Sequence, residues 1–481
     1  MALLADMLGE LSEHRAESSQ EWEAIRNNIE SILIVIDDDP TGTQAIADLP
    51  VLMRWEEDDL QWAFHQGKAA VYVTANSRAL HPAEAAERNK EIAMAALNVA
   101  SREGLSLAFA SRSDSTLRGH FPLEPEVISE TLATITGRSP NAIILIPAFP
   151  DAGRITLHQM HYAGSFHTGE FTPVGETEFA ADSTFGYINS HLASWVEEKS
   201  LGQIEAKSVI ALDITTIRQG ADSVYTHLAD APRGSMIVVD CVSELDLRVV
   251  ATALDRAERA GMSYVYRVGP PFVRARIGQD VTPALTSLDI SALFSSASRD
   301  FARGGLILVG SHTAVTTSQL KALQEGGALV SLEIPVELVL DETSRTRVID
   351  DLVRQLSAGL TEGSVILSTS RTRVVGSNET ESLKIARTIS DSMSRIVRGV
   401  VAQITPRFVL AKGGITSADV AQFGLGITRA MARGSLLPGL VSLWEPLEGP
   451  ATGIPYVVFP GNVGTSTALK EVVKKLEGAT L

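Results

Sequence analysis

The sequence predicts an α/β protein of two domains, each with a mainly parallel sheet flanked by helices, and a ligand cleft between them. Three observations predict it. The chain has 481 residues, more than one core ordinarily serves at roughly 100 to 200 residues per domain. Short apolar, β-branched runs alternate with Ala- and Glu-rich stretches of helical spacing, and the runs are apolar on both faces, as strands of a covered parallel sheet are. Hydrophobic residues make up 44% of the chain and charged residues 21%, which supplies large cores and excludes wholesale disorder.

Taken in order, residues 1–30 carry Glu10, Glu13, Glu17, Glu21 and Glu23 and read as an N-terminal helical extension without the basic start and apolar block of an export signal. The first strand series is Ile32–Ile36, Val71–Val73, Leu105–Phe109, Ile143–Ile146, Val209–Leu212, Met236–Val239 and Tyr264–Val268, with helices over Pro82–Ala100 and Glu244–Ala260, and it fills a domain over 31–290. The second series is Leu306–Val309, Ala328–Leu332, Val365–Leu367, Arg407–Leu410 and Tyr456–Phe459, in a domain over 300–481. Between them, Val281–Arg303 is apolar but poor in strands and carries the boundary.

Charge and cysteine content narrow the function classes. With 41 Lys+Arg against 58 Asp+Glu the net charge is -17, which argues against a nucleic-acid or anionic-membrane binder, because both need a broad basic surface. An anionic small molecule must then be held by a local cluster. No apolar run reaches the roughly 18 residues of a membrane span. Cys241 is alone and forms neither an internal disulfide nor a Cys-based metal site. A cytoplasmic location is expected, and a homo-oligomer is compatible with the sequence.

The strand at Ile32–Ile36 breaks into Asp37-Asp38-Asp39-Pro40-Thr41-Gly42, which places three carboxylates at the carboxyl edge of a parallel sheet, where open α/β folds bind ligands. Two further strands end in Thr74-Ala75-Asn76-Ser77-Arg78 and in Ser111-Arg112-Ser113-Asp114-Ser115-Thr116-Leu117-Arg118-Gly119-His120. Guanidinium forks suit a carboxylate, and Asp or Ser suits hydroxyls, so the set fits a polyhydroxylated acid. Asp37-Asp38-Asp39-Pro40-Thr41 also spells the D-x-D-x-T nucleophile loop of haloacid-dehalogenase-like phosphatases, which would use Asp37 and Asp39, but no convincing downstream Lys or acidic pair accompanies it.

These motifs, with Pro147-Ala148-Phe149-Pro150-Asp151-Ala152-Gly153-Arg154 and Gly175–Asp182, resemble in order the N-terminal domain of the four-carbon acid sugar kinase family, and the similarity spans roughly residues 31 to 470. The resemblance implies ATP-dependent phosphorylation of a hydroxyl of erythronate, threonate or a related 2-oxo acid, in carbohydrate catabolism. It implies Asp38, Arg78, Arg112, Ser113, Asp114, Ser115 and Arg118 as substrate contacts, with Asp38 or Asp114 as general base. Arg112 stands where many members carry Lys. The basic segment with Arg267, Arg274 and Arg276 is expected to add positive charge to the cleft.

In the second half no Walker-type phosphate loop occurs. Three strands instead run into small-residue turns: Gly310-Ser311-His312-Thr313, Lys412-Gly413-Gly414-Ile415-Thr416-Ser417, and Pro460-Gly461-Asn462-Val463-Gly464. Exposed N–H groups at such turns cradle phosphates. The same stretches resemble the family's nucleotide-binding domain, which implies Ser311, Gly413, Gly414, Ile415, Thr416, Gly461, Asn462 and Gly464 as ATP contacts, with Mg2+ as companion ion and metal ligands unassigned. Ile415 replaces the acid of the G-G-E-T version, Phe459-Pro460 replaces a Lys-containing approach, and Lys412 is a candidate to supply charge in their place. Thr416 or Ser417 is expected at the following N-cap. His158, His161 and His167 read as polar loop or helix surface. A second alternative to the kinase is a non-catalytic sugar-acid-binding protein derived from it.

Overall fold

Continuous burial of Ile32–Asp37 explains why this run is a strand: every side chain from Ile32 to Asp37 is enclosed, which only a sheet covered on both faces provides. The computed structural model describes residues 2–3, 9, 25–26, 30–296, 299–325, 330–370 and 379–480. The helical extension expected over 1–30 lies almost wholly outside the described residues. Ala2–Leu3 is strand and Ile25–Arg26 is helical.

Strands are numbered along the chain: β1 Ala2–Leu3, β2 Ile32–Asp37, β3 Leu49–Leu52, β4 Ala70–Thr74, β5 Leu107–Arg112, β6 Ala142–Ile146, β7 Arg154–Leu157, β8 Met160–Ser165, β9 Glu170–Pro173, β10 Ile210–Leu212, β11 Ser235–Val239, β12 Tyr264–Val268, β13 Leu306–Val309, β14 Val330–Ile334, β15 Val365–Thr369, β16 Val409–Lys412, β17 Arg429–Leu437, β18 Val441–Pro446 and β19 Tyr456–Phe459. The chain forms two compact units, Met1–Leu49 with Trp55–Val281, and Pro50–Arg54 with Thr282–Leu481. Pro50–Arg54 thus groups with the second unit although it lies in the sequence of the first.

In the first unit the described parallel strands run β10-β11-β6-β12-β5-β2-β4. From β2 the chain moves to β4 on one side and returns to β5 on the other. The carboxyl ends of β2 and β5 therefore flank a topological switch point. The helix Pro82–Glu103 makes that return; it opens on a capping box between His81 and Glu84 and stops at Gly104, whose φ of 68° suits glycine. One core of this unit gathers Leu117, Phe121, Leu145, Trp195, Val196, Met236 and Val238.

A second, antiparallel sheet β1-β9-β8-β7 belongs to the same unit and was not expected from the sequence. Its β7–β8 turn is His158-Gln159, with φ of 51° and 63°. The Asp240 carboxylate at the end of β11 holds that turn by accepting from the N–H groups of His158 and Gln159, each at 2.7 Å.

The second unit has strand order β3-β17-β18-β19-β16-β13-β15-β14. From β19 to β14 the pairs are parallel, while β17-β18 and β18-β19 are antiparallel, an arrangement the alternation of apolar runs did not foreshadow. Its core packs Ile307, Val309, Ile366, Phe408, Leu410, Val457 and Phe459 against Leu469, Val472 and Leu476 of the helix Ala468–Glu477. The chain again steps from β13 to β14 and β15 on one side and to β16 and β19 on the other, which puts β13, β16 and β19 side by side at a second switch point. No helix among the described residues is long and apolar enough to cross a membrane.

Candidate functional site

The first cluster sits where β2, β4 and β5 end side by side. Register pairs Asp37 with Thr74 on one neighbour and with Arg112 on the other, so the three strand ends named from the sequence form one edge. Asp39 caps the short 3-10 helix Pro40–Ala45 by accepting from the Thr41 N–H at 2.9 Å and from its hydroxyl.

Two guanidiniums thread the three carboxylates. Arg78 donates from Nε and NH2 to the two oxygens of Asp38, at 3.0 and 2.7 Å, and from NH1 to Asp39 at 2.7 Å. Arg112 donates from Nε to Asp37 and from NH2 to Asp39 at 2.9 Å, and it lies 3.3 Å from Asp38. The Ser113 hydroxyl donates to Asp38 at 2.7 Å. Three acids against two guanidiniums leave one surplus negative charge. Burial, with Asp39 and Asp38 adding to it and Arg112 opposing, pushes the Asp37 carboxyl well above the usual range. Burial also raises Asp38, against Arg78 and Arg112. At Asp39 burial is outweighed by Arg78 and Arg112, and its carboxyl falls to about 2.

Gly42 is obligatory here, since a Cβ would stand 2.5 and 2.6 Å from the Asp37 carboxylate oxygens and closer still to Arg112 Nε. Gly119 is comparable: its φ is 121°, and a Cβ would lie 2.6 Å from Ser113 Oγ and 2.8 Å from Arg267 NH2.

Asp114 and Arg118 form a neighbouring pair, with Arg118 Nε donating to Asp114 at 2.6 Å and the Thr116 hydroxyl donating to the same oxygen. Burial opposes the charge on Asp114, but Arg118 and Arg78 outweigh it and hold the carboxyl well below the usual range. Arg118 also lies 3.6 Å from Asp182. Ser115 is buried, and its carbonyl faces His161 Nε2 at 2.8 Å, while Thr156 Oγ1 lies 2.9 Å from His161 Nδ1. His161 is therefore a buried structural residue rather than part of a polar surface, and burial pushes it down to about 4.

The expectation that Arg267, Arg274 and Arg276 add free positive charge is corrected. Arg267 pairs with Glu124 and donates to Ser111 at 2.7 Å, Arg274 pairs with Glu244 and lies 3.3 Å from Asp151, and Arg276 pairs with Glu258. Glu124, in the helix Leu123–Thr136, is a member of the buried network that the sequence reading missed; only its place shortly after the Asp114 loop hinted at it.

The second cluster lies in the other unit, at the ends of β13, β16 and β19. The N–H groups of Gly310 and Ser311 donate to the Lys412 carbonyl at 3.2 and 3.3 Å, and Gly413 N–H donates to the Phe459 carbonyl at 2.8 Å. The hydroxyls of Thr313 and Thr316 donate to the Gly461 carbonyl at 2.6 and 2.9 Å, and Thr316 also bonds Ser311 Oγ at 3.1 Å. The three turns are thus one interlocked structure containing Ser311, Gly413, Gly414, Thr416, Gly461, Asn462 and Gly464. Gly310 and Gly461 are packed too closely for a side chain, the first against Thr416 Oγ1 and the second at 2.5 Å from Ser311 Oγ. Gly413, with φ of 121°, occupies the N-cap of Gly414–Asp419, in place of the expected Thr416 or Ser417. Ser417 Oγ instead donates to the Ala411 carbonyl at 2.9 Å. Ile415 points outward and is 55% exposed.

Lys412 is enclosed, donates to the Pro460 carbonyl at 2.9 Å and stands 3.8 Å above the centre of the Phe459 ring. Burial brings its ammonium down to about 7. Among the described residues no three His, Cys, Asp or Glu gather to hold a metal ion. Asp419, the carboxylate nearest in sequence to the Gly413 turn, accepts from Ser390.

Comparison with known proteins finds two family domains in tandem. Residues 33–276 match the sugar-binding N-terminal domain and residues 306–469 the nucleotide-binding C-terminal domain. The D-erythronate kinase of Heliobacterium modesticaldum is 28% identical over 323 residues, which cover 65% of this chain and 64% of that protein, so the match spans less than two thirds of the relative. Two solved structures, both 17% identical, share the fold. A Salmonella typhimurium LT2 protein superposes with a TM-score of 0.65 over 91% of this chain and 98% of its own, and a Haemophilus influenzae protein with 0.58 over 92% and 100%. With the first domain alone matching about half of its length and the second following in tandem, the chain belongs to the four-carbon acid sugar kinase family.

Proposed function

We propose that the protein is an ATP-dependent kinase that phosphorylates a hydroxyl of a four-carbon sugar acid of the erythronate or threonate type, in carbohydrate catabolism. One observation carries the reading: a clamped carboxylate, Asp38, at the switch point of the sugar-binding unit occurs in the same chain as three interlocked phosphate-cradle turns in the nucleotide-binding unit. The likeness to a D-erythronate kinase supports the substrate class.

Asp38 is the better general base of the two candidates. Burial raises its proton affinity, and Arg78 and Ser113 hold it in place, whereas Asp114 is kept weakly basic by Arg118 and serves to accept from substrate hydroxyls together with Ser115. The phosphates of ATP lie against the turns that carry Ser311, Gly413, Gly414, Ile415, Thr416, Gly461, Asn462 and Gly464, with the N–H groups of Ser311 and Gly413, engaged by the Lys412 and Phe459 carbonyls, not among the donors. Mg2+ supplies neutralisation of phosphate charge when bound. Because the turns present hydroxyls and N–H groups rather than a carboxylate set, the ion fits as the nucleotide's companion, consistent with the few protein ligands magnesium takes in such sites.

A phosphatase using Asp37 is disfavoured, because that carboxylate has no exposed surface and bonds Arg112. The deciding experiment is an ADP-release screen over four-carbon sugar acids. Turnover with at least one of them is expected, and silence across the panel refutes the substrate class.

A further inference from the structure

Arg154 opens β7, and its side chain is enclosed, with 8% of the residue exposed. NH1 donates to the Ala152 carbonyl, and the guanidinium stands 5.8 Å from the centre of the Phe179 ring, whose other guanidinium contact is Arg118 at 5.3 Å. Nε is buried and has no hydrogen-bond partner. No carboxylate of the described residues lies within ion-pair distance of Arg154, whereas the other guanidiniums around the site are matched: Arg78 and Arg112 by Asp37 to Asp39, Arg118 by Asp114 and Asp182, and Arg267 by Glu124. Burial weakens the charged form of Arg154, with Asp114 opposing and Arg118 reinforcing this. An enclosed cation without a partner is unfavourable until an anion reaches it. With NH1 engaged, the edge formed by Nε and NH2 remains, and that edge takes a carboxylate through two parallel hydrogen bonds.

We propose that Arg154 binds the carboxylate of the substrate and sets the preference for sugar acids over neutral polyols. The inference rests on the kinase reading above and reassigns carboxylate recognition, since Arg78 and Arg112 are already engaged by aspartates. Asp114 and Ser115 are left to read the hydroxyls.

The test compares D-erythronate with erythritol, which carries CH2OH where the acid carries its carboxylate, as substrates of the full-length protein and its R154Q and R154K variants. Loss of a charge-assisted bidentate pair predicts a KM for erythronate raised about 30-fold or more in R154Q with kcat within about threefold, and an unchanged kcat/KM for erythritol. R154K keeps the cation but not the fork and falls between. Titration calorimetry of erythronate without nucleotide gives the same ranking and reports binding separately from turnover. Should R154Q fail to fold, R154K carries the test, and an acid-to-polyol preference equal to wild type overturns the proposal. A wild-type protein that neither binds nor phosphorylates any four-carbon acid overturns the kinase reading and this inference with it. A wild type that phosphorylates erythronate, with both variants equally selective, overturns this inference alone.

Discussion

Replacing Lys412 by Met should stabilise the second unit in acid and destabilise it in alkali. The ammonium sits in the apolar layer above Phe459, and its fall from 10.5 to about 7 corresponds to about 5 kcal/mol of burial cost when the group is charged. Because the unfolded chain binds the extra proton between those values, wild-type stability rises with pH through that window and levels off below about pH 7. Methionine removes this dependence and also removes the hydrogen bond to the Pro460 carbonyl, leaving that buried acceptor unpaired, a loss of about 2 to 3 kcal/mol. The variant is then more stable by about 2 kcal/mol near pH 6 and less stable by about 2 kcal/mol near pH 10, a swing of about 4 kcal/mol. Trp444 is the sole tryptophan of the second unit, so urea unfolding read from its 19F resonance in 5-fluorotryptophan protein isolates that unit. A stability difference that stays constant within about 1 kcal/mol across the range would refute the reasoning.

Other predictions concern both sites. D38N should lower kcat by about 10^2 to 10^4 while leaving ATP binding measured by calorimetry unchanged; retained turnover would remove Asp38 as base. G42A drives a methyl into the Asp37–Arg112 pair and should cost about 3 to 5 kcal/mol in urea unfolding, a buried ion pair being broken. G310A pushes Thr416 aside and should raise the KM for ATP about tenfold or more without moving that for the acid; equal effects on both would contradict separate sites. His161 is lowered from 6.5 to about 4 by burial, so the unfolded chain binds the extra proton in that window and stability falls as pH drops through it, by about 3 kcal/mol in all. H161Q should abolish that slope in calorimetric scans.

The parallel strands were legible because covered strands must be apolar throughout, and Ile32–Ile36 or Leu306–Val309 advertise this in one short run. Their acidic, basic and glycine-rich ends were legible for the same reason, since a sharp change from apolar to polar marks the edge where side chains meet. The sheet β1-β9-β8-β7 was not, because its key turn uses His158 and Gln159 with positive φ and depends on Asp240, some 80 positions away, for its hydrogen bonds. Local turn chemistry predicts Gly or Asn there. The partners of Arg78 and Arg112 were likewise hidden, because no local spacing matches either arginine to Asp37, Asp38 or Asp39, which the strand register brings beside them. Arg154, visible only as the last letter of a motif, emerged because it was left unmatched.

Gly42, Asp37 and Arg112 have a consequence for how this corner can change over generations. The space a side chain at 42 would need is the space the Asp37 and Arg112 side chains fill, so no residue larger than glycine fits at 42 while both of them stay in place. A side chain can therefore enter at 42 only together with a change at 37 or 112, whereas an exchange of one cation for another at 112 leaves the glycine's place untouched.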